Sequence, residues 1–292
     1  MTAPYLQRLA ARTAATRTVL CVGVDPDPGA LPAGFEPTLQ GIEAFSRMIV
    51  EASLPYAAAV KPNLAFFEAH GSAGVAALER LRAMVPDHVP FIVDAKRGDI
   101  GSTAARQAVA LYDVLGADAV TVNPYLGAEA IAPLIERADR FAYVLCRTSN
   151  PGAGELQGLP VAPDPDAGHP AEPLWARVAR LVTAWGPGGT VGLVVGATAP
   201  SEMASIRTLA PGLAFLVPGV GAQGGEVAPA LVHGPATAPP AAGGAGGGLL
   251  VNVSRGIAQA ALGAPSADGP TDPAERLAEA VAGWAASLAV LP

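Results

Sequence analysis

The sequence predicts an α/β fold of the (β/α)8 TIM-barrel class, organised as a single domain over residues 1–292. Eight short apolar runs carry the prediction, at 19–25, 57–61, 90–96, 117–123, 141–147, 191–197, 213–220 and 249–255. They are rich in Val, Leu, Ile and Phe and lack a clean polar-out alternation, as parallel strands covered on both faces do. Helix-like stretches separate most of them, and strand–helix alternation of this kind builds barrels or doubly wound sheets. A doubly wound sheet normally carries a Gly-rich fingerprint after its first strand; here Asp25-Pro26-Asp27-Pro28 stands in that place. Finally, polar residues gather at the C-terminal ends of seven of the eight runs, where barrels keep their catalytic groups.

Taken in order, residues 5–17 read as a short helix ahead of the first strand, which ends at Asp25. A helix over 43–56 leads to the second run, which ends at Lys61 and is stopped by Pro62. A helix over 73–84 precedes the third run, which carries Asp94 and Lys96 near its end. In the next helix Ser102 is a candidate N-cap, and Ala105, Ala108, Val109, Tyr112 and Leu115 share one face. The fourth run ends in Asn123-Pro124, and the fifth in Arg147-Thr148-Ser149-Asn150-Pro151-Gly152. Residues 150–173, rich in Pro, Gly and Asp, are expected to form a long loop insertion. Helices over 175–185 and 201–209 precede the sixth and seventh runs. The seventh leads into Gly219-Val220-Gly221-Ala222-Gln223-Gly224-Gly225. Residues 234–248, nearly all Pro, Ala, Gly and Thr, are expected to be a second insertion: a mobile connection, either a lid or a tolerated extra segment. The eighth run ends in Asn252-Val253-Ser254-Arg255-Gly256, and a helix over 273–291 closes the chain.

Composition narrows the functional classes. A hydrophobic fraction of 51% against 15% charged residues supports a large core. The net charge of −7, from 18 basic and 25 acidic residues, argues against a nucleic-acid-binding surface, which needs a basic field. No apolar run reaches the ~18 residues of a membrane span, and the N-terminus lacks a secretory signal pattern. Cys21 and Cys146, each inside an apolar run, read as buried thiols of a cytoplasmic protein. The cysteines and four histidines show no metal-ligand spacing.

The chemistry concentrates in Asp94-Ala95-Lys96-Arg97-Gly98-Asp99. Strand alternation points Asp94 and Lys96 the same way, while Asp99 lies beyond the strand. Opposite charges at a buried strand end are costly to desolvate and mark a site. The Gly-rich turn after the seventh run can turn backbone N–H groups onto an anion. With the planar fork of Arg255 after the eighth, it forms a candidate phosphate site.

The run Asp94-Ala-Lys-Arg-Gly-Asp-Ile-Gly-Ser-Thr103 resembles the hallmark of the orotidine 5′-phosphate decarboxylase family, in its longer bacterial branch. The resemblance spans nearly the whole chain, from the strand ending at Asp25 to Arg255-Gly256. It implies decarboxylation of orotidine 5′-phosphate to UMP and CO2 without metal or cofactor, in a dry cavity. Lys61, Asp94, Lys96 and Asp99 would form the alternating catalytic charge network. Asp25 would hold the ribose hydroxyls, Ser149 the pyrimidine edge, and Gln223 and Arg255 the phosphate. Asp99 and Thr103 would enter a neighbouring subunit's site, which implies a homodimer with shared active sites. Two competing functions remain. One is a Mg2+-dependent sugar-phosphate decarboxylase or aldolase of the same superfamily, which would need an acidic residue where Lys61 stands. The other is a non-catalytic phosphate-binding barrel.

Overall fold

The computed structural model describes residues 3–262 and 271–290. Eight parallel strands form one sheet: β1 Leu20–Val24, β2 Ala59–Pro62, β3 Ile92–Arg97, β4 Ala119–Val122, β5 Phe141–Arg147, β6 Val191–Val195, β7 Ala214–Pro218 and β8 Leu250–Val253. Their spatial order is β2-β1-β8-β7-β6-β5-β4-β3. Parallel bridges Val60–Phe91 and Asn63–Asp94 bring β2 against β3 and close the barrel. Around it run α1 Tyr5–Thr16, α2 Leu39–Ser53, α3 Gly71–Met84, α4 Gly101–Ala108, α5 Leu174–Val182, α6 Pro200–Leu209, α7 Val227–His233, α8 Arg255–Leu262 and α9 Pro273–Ser287. Caps fix several starts: Thr38 Oγ1 accepts from Gly41 N for α2, and Asp272 accepts from Ala274 N, with Pro273 at the first position, for α9.

Because strand side chains alternate, every second residue faces the barrel axis. Val22, Val24, Val60, Val93, Val120, Val122 and Val144 point outward into the main helix–sheet core. Cys21, Ala59, Ile92, Ala119, Phe141, Tyr143, Val194, Ala214, Leu216 and Leu250 fill the interior. Large and small residues interdigitate there. A Cβ on Gly192 would lie 2.9 Å from the Phe141 ring and 2.4 Å from the Ala214 carbonyl oxygen, so only glycine leaves room for that ring. Helix α1 plugs the N-terminal end: Tyr5 stacks on Phe141 at 4.8 Å between centroids, and its hydroxyl lies 3.1 Å from that of Tyr143.

The structure corrects five expectations. Ser102 is not the N-cap of α4. That helix begins two residues earlier than such a cap would set, at Gly101 with φ +50° after Ile100 in the cap position, and Asp99 Oδ1 accepts from Ile100 N at 2.7 Å. Its buried stripe is Ala104, Ala108, Leu111, Tyr112 and Leu115, with Ala105 and Val109 half-buried at its edge, and α4 runs on into a π-helical segment at Val109–Val114. Residues 150–173 are not a plain loop. They hold a short helix, Ala153–Gln157, and an antiparallel pair of Pro160–Val161 with Glu172–Pro173, fastened by Arg177 and Arg180 to Glu172.

The fourth correction concerns residues 234–248, which cannot serve as a lid over the barrel mouth. Helix α7 lies between β7 and this segment, so the segment feeds the N-terminal start of β8 at the opposite end of the barrel. There it lies along the residues preceding β7, with Thr237 N and Ala238 N donating to Pro211 O and Ala241 N to Gly212 O. It packs beneath α1, with Gly244 beside Ala10 and Gly246 beside Thr13 and Val19. Arg207 clamps its start, donating to the carbonyls of His233 at 3.2 Å and Gly234 at 2.5 Å. The closing helix stops at Ser287, short of its expected end at 291: Leu288 is its C-cap and Ala289 forms an antiparallel bridge with Thr18, while Leu291 lies outside the described residues.

Candidate active site

The inward alternation that packs the barrel also delivers the site. One step above the interior layer, the inward positions include Lys61, Asp94, Thr121, Leu145, Pro218 and Asn252, and Asp25 stands one inward position higher, above Gly23. With Lys96, Thr148, Ser149, Asn150 and Gln223 they line a cleft of about 300 Å³ at the C-terminal ends of the strands.

Asp94 is the hub. Lys61 Nζ donates to its Oδ2 at 3.1 Å, and Lys96 Nζ and Thr121 Oγ1 both donate to its Oδ1 at 2.7 Å. Burial works against charge on Asp94, but Lys61 and Lys96, with hydrogen bonds from Lys96 and Thr121, hold its carboxyl well below the usual carboxylate range. Burial likewise opposes charge on Lys61, yet Asp94 and then Asp25 more than offset it and hold the ammonium above the ordinary lysine range. Beneath them, burial pushes the Cys21 thiol up to about 12, so it stays protonated. The dry cavity expected from sequence describes Lys61, whose side chain is 5% exposed, but not Lys96, whose side chain is 50% exposed.

Strict alternation is not what aims Lys96. The ladder pairs Val93 with Val120 and then Arg97 with Val122, so residues 94, 95 and 96 lie opposite Thr121 alone. Within this bulge Lys96 takes φ +48°, a left-handed conformation costly for a residue with a Cβ.

The rim is built by loops. Ser149 lies against Gly219, where φ +96° and a Cβ-to-Cβ approach of 2.7 Å both require glycine. Gln157, from the 150–173 insertion, braces the same loop, accepting from Thr148 N at 2.8 Å and donating to Thr148 Oγ1 at 2.7 Å. The Gly-rich turn bonds to itself: Gly221 N donates to Gly225 O, Gly224 N to Gly221 O and Gly225 N to Gly219 O. That leaves Ala222 and Gln223 exposed at its tip. Arg255, at the start of α8, is exposed and outside the cleft lining. Its segment nevertheless neighbours the turn, since Gly221 and Gly256 both abut the Trp284 indole.

Asp99 and Thr103 do not join this chain's cleft. Asp99 binds its own chain, its N–H donating to Ala130 O at 3.2 Å. Thr103 lines a separate groove with Glu68, Arg97 and Arg106. Sequence reasoning gave no role to Thr121, Asn252, Leu145, Pro218 or Trp284. Thr121 had one visible signal, a polar residue at an inward position of an apolar strand. Asn252 Oδ1 and Asp25 Oδ1 are buried and accept no hydrogen bond from the described residues, as acceptors awaiting ligand hydroxyls would.

Residues 18–268 match the Orotidine 5'-phosphate decarboxylase / HUMPS family. An orotidine 5′-phosphate decarboxylase of Thermomicrobium roseum is 44% identical over 280 residues, covering 95% of this chain and 94% of the relative. A Toxoplasma gondii crystal structure, assigned provisionally as an orotidine-monophosphate decarboxylase, superposes with a TM-score of 0.81 at 36% identity, covering 98% of this chain and 96% of its own. The Leishmania donovani OMP decarboxylase superposes with a TM-score of 0.74 at 35% identity, covering 97% of this chain and 98% of its own.

Proposed function

This chain belongs to the orotidine 5′-phosphate decarboxylase family, and we propose that its Lys61–Asp94–Lys96 cluster carries the family's reaction by electrostatics alone. The activity is the carboxy-lyase step of pyrimidine biosynthesis that converts orotidine 5′-phosphate to UMP and CO2.

Loss of CO2 leaves a carbanion at C6 that the pyrimidine ring stabilises poorly. Lys96 holds its ammonium beside that carbon and then delivers the proton to it. Asp94 lies near the departing carboxylate, and Lys61 keeps Asp94 ionised. Two like charges ~4 Å apart repel by about 4 kcal/mol at an effective dielectric of 20. That is short of the ~8–23 kcal/mol that enzymes remove from barriers. Stabilisation of the carbanion by Lys96 is therefore the larger contribution. Asp25 receives the ribose hydroxyls, Ser149 reads the pyrimidine edge, and Gln223 and Arg255 bind the phosphate. The 50% exposure of the Lys96 side chain means that water must be displaced as the nucleotide binds, and phosphate binding supplies the energy for that closure.

A homodimer completes the site by supplying Asp99 and Thr103 from the neighbouring subunit. Their position outside their own cleft supports this, as do the exposed apolar Ile100, Tyr125 and Leu126 alongside (60%, 75% and 51% exposed). A cytoplasmic setting fits the two buried free thiols, and among the described residues no helix is long and apolar enough to cross a membrane.

The observation that carries the reading is the two-lysine clasp on Asp94, at 3.1 and 2.7 Å. It also opposes a Mg2+-dependent mechanism, because Lys61 puts a cation where that metal would need a carboxylate. The test is loss of orotidine 5′-phosphate absorbance with purified protein. Wild type turns over undiminished in EDTA, and Lys96→Ala falls by at least about 10³-fold. Retained turnover in Lys96→Ala, or full loss in EDTA, overturns the mechanism.

A further inference from the structure

We infer that Thr121 is a positioning residue for this reaction: its hydroxyl locks the bulge that sets Asp94 and Lys96 in register with each other. The inference rests on the roles proposed above for those two residues.

The bulge creates a local problem. Three residues of β3 lie opposite one residue of β4, so Ala95 N–H and Lys96 N–H lose ordinary ladder partners. Even partly buried amides are costly to leave without acceptors. Thr121 Oγ1 accepts from both, each at 3.0 Å. A hydroxyl offers two lone pairs and one proton. With both lone pairs facing amides that can only donate, its proton has one direction left, toward Asp94 Oδ1 at 2.7 Å. The full hydrogen-bonding capacity of one buried hydroxyl is thus committed to the two residues argued to do the chemistry.

Two consequences follow. The backbone of Lys96, at φ +48°, is held in a left-handed conformation that is unfavourable for a residue with a Cβ. The second consequence concerns Asp94 Oδ1, which receives Thr121 and Lys96 together and so keeps one rotation of the carboxylate. A shift of a few tenths of an ångström in this ammonium–carboxylate pair falls on the transition state rather than on nucleotide binding, because ribose and phosphate are held elsewhere. Residues of similar size are not equivalent here. Valine fills the same volume but strands two amides, while serine keeps the hydroxyl.

The experiment compares Thr121→Val, Thr121→Ser and Lys96→Ala for kcat, KM and UMP affinity, with amide exchange at residues 95 and 96. Thr121→Val is expected to lose kcat by about 30- to 100-fold, with UMP affinity within threefold of wild type and faster exchange at both amides. Thr121→Ser is expected to stay within fivefold of wild type in every measurement. Should Thr121→Val fail to fold, Thr121→Ala against Thr121→Ser reads the same contrast. Equal kcat in the Val (or Ala) and Ser variants overturns the inference, as does a loss confined to KM. If Lys96→Ala is inactive while Thr121→Val is normal, this inference fails alone; if Lys96→Ala is active, the underlying mechanism fails.

Discussion

Neutralising Asp94 should cost more stability than removing Lys61, although both changes break the same ion pair. Lys61 is buried and donates to Asp94 across 3.1 Å, a separation worth about 5 kcal/mol at an effective dielectric of 20. In Asp94→Asn the buried ammonium keeps only the more general field of Asp25, and stranding one member of a buried pair costs about 3–5 kcal/mol. In Lys61→Met, Asp94 retains Lys96 and Thr121, and the burial penalty of the ammonium disappears. We therefore expect a loss of under about 2 kcal/mol there, with the half-exposed Lys96 contributing at most about 1 kcal/mol of pairing. The pH dependence has a definite sign. The depressed carboxyl of Asp94 stabilises the fold above the ordinary aspartate pKa of about 4, and that contribution is lost only as pH falls toward its own, lower value. The raised ammonium of Lys61 stabilises below the ordinary lysine pKa of about 10.4 and is lost only as pH rises past that. Wild type should be flat between, as far as this pair is concerned. In Asp94→Asn, burial lowers Lys61 unopposed by its main partner, the unfolded chain binds more protons, and the deficit should shrink between pH 8 and 10. Urea unfolding of both variants at pH 7, 8, 9 and 10 measures this. Equal costs at pH 7, or a deficit that widens with pH, would refute the reasoning.

Arg255→Ala should raise KM by about 10- to 100-fold, as expected for one charge-assisted phosphate contact, with a smaller fall in kcat; unchanged UMP affinity by calorimetry would remove Arg255 from the phosphate site. Tyr125→Arg should convert a dimer into monomers in sedimentation and abolish most turnover at nanomolar enzyme; a fully active monomer would contradict shared sites.

The parts legible in the sequence are those where one residue type has few other reasons to be present. Two lysines and two aspartates, spread over the ends of three strands, have no packing role, so Asp25, Lys61, Asp94 and Lys96 could be placed from the chain alone, and the cleft collects all four. Thr121 was hidden because threonine is an ordinary strand residue. Its importance comes from a three-against-one register that no local pattern announces. The misplaced lid has a different origin. Helix α7 is only seven residues long and carries Pro229, so its periodicity was too weak to show that another element intervenes before 234–248. Without that helix the end of the barrel reached by the segment could not be assigned. Asp99 and Thr103 mark a third limit: a motif fixes their spacing, while the proposal that they serve a neighbouring subunit's cleft depends on a second chain.

The floor under α1 has a practical use. The Gly- and Pro-rich strap spanning 234–248 is fastened to the residues that enter β7, with the whole packed interior between it and the ammonium groups of Lys61 and Lys96. A dye, affinity handle or surface tether grafted at Thr237, an exposed side chain of the strap, would hang from the pole opposite the nucleotide's entrance. Immobilised that way, the molecule presents its mouth to solution.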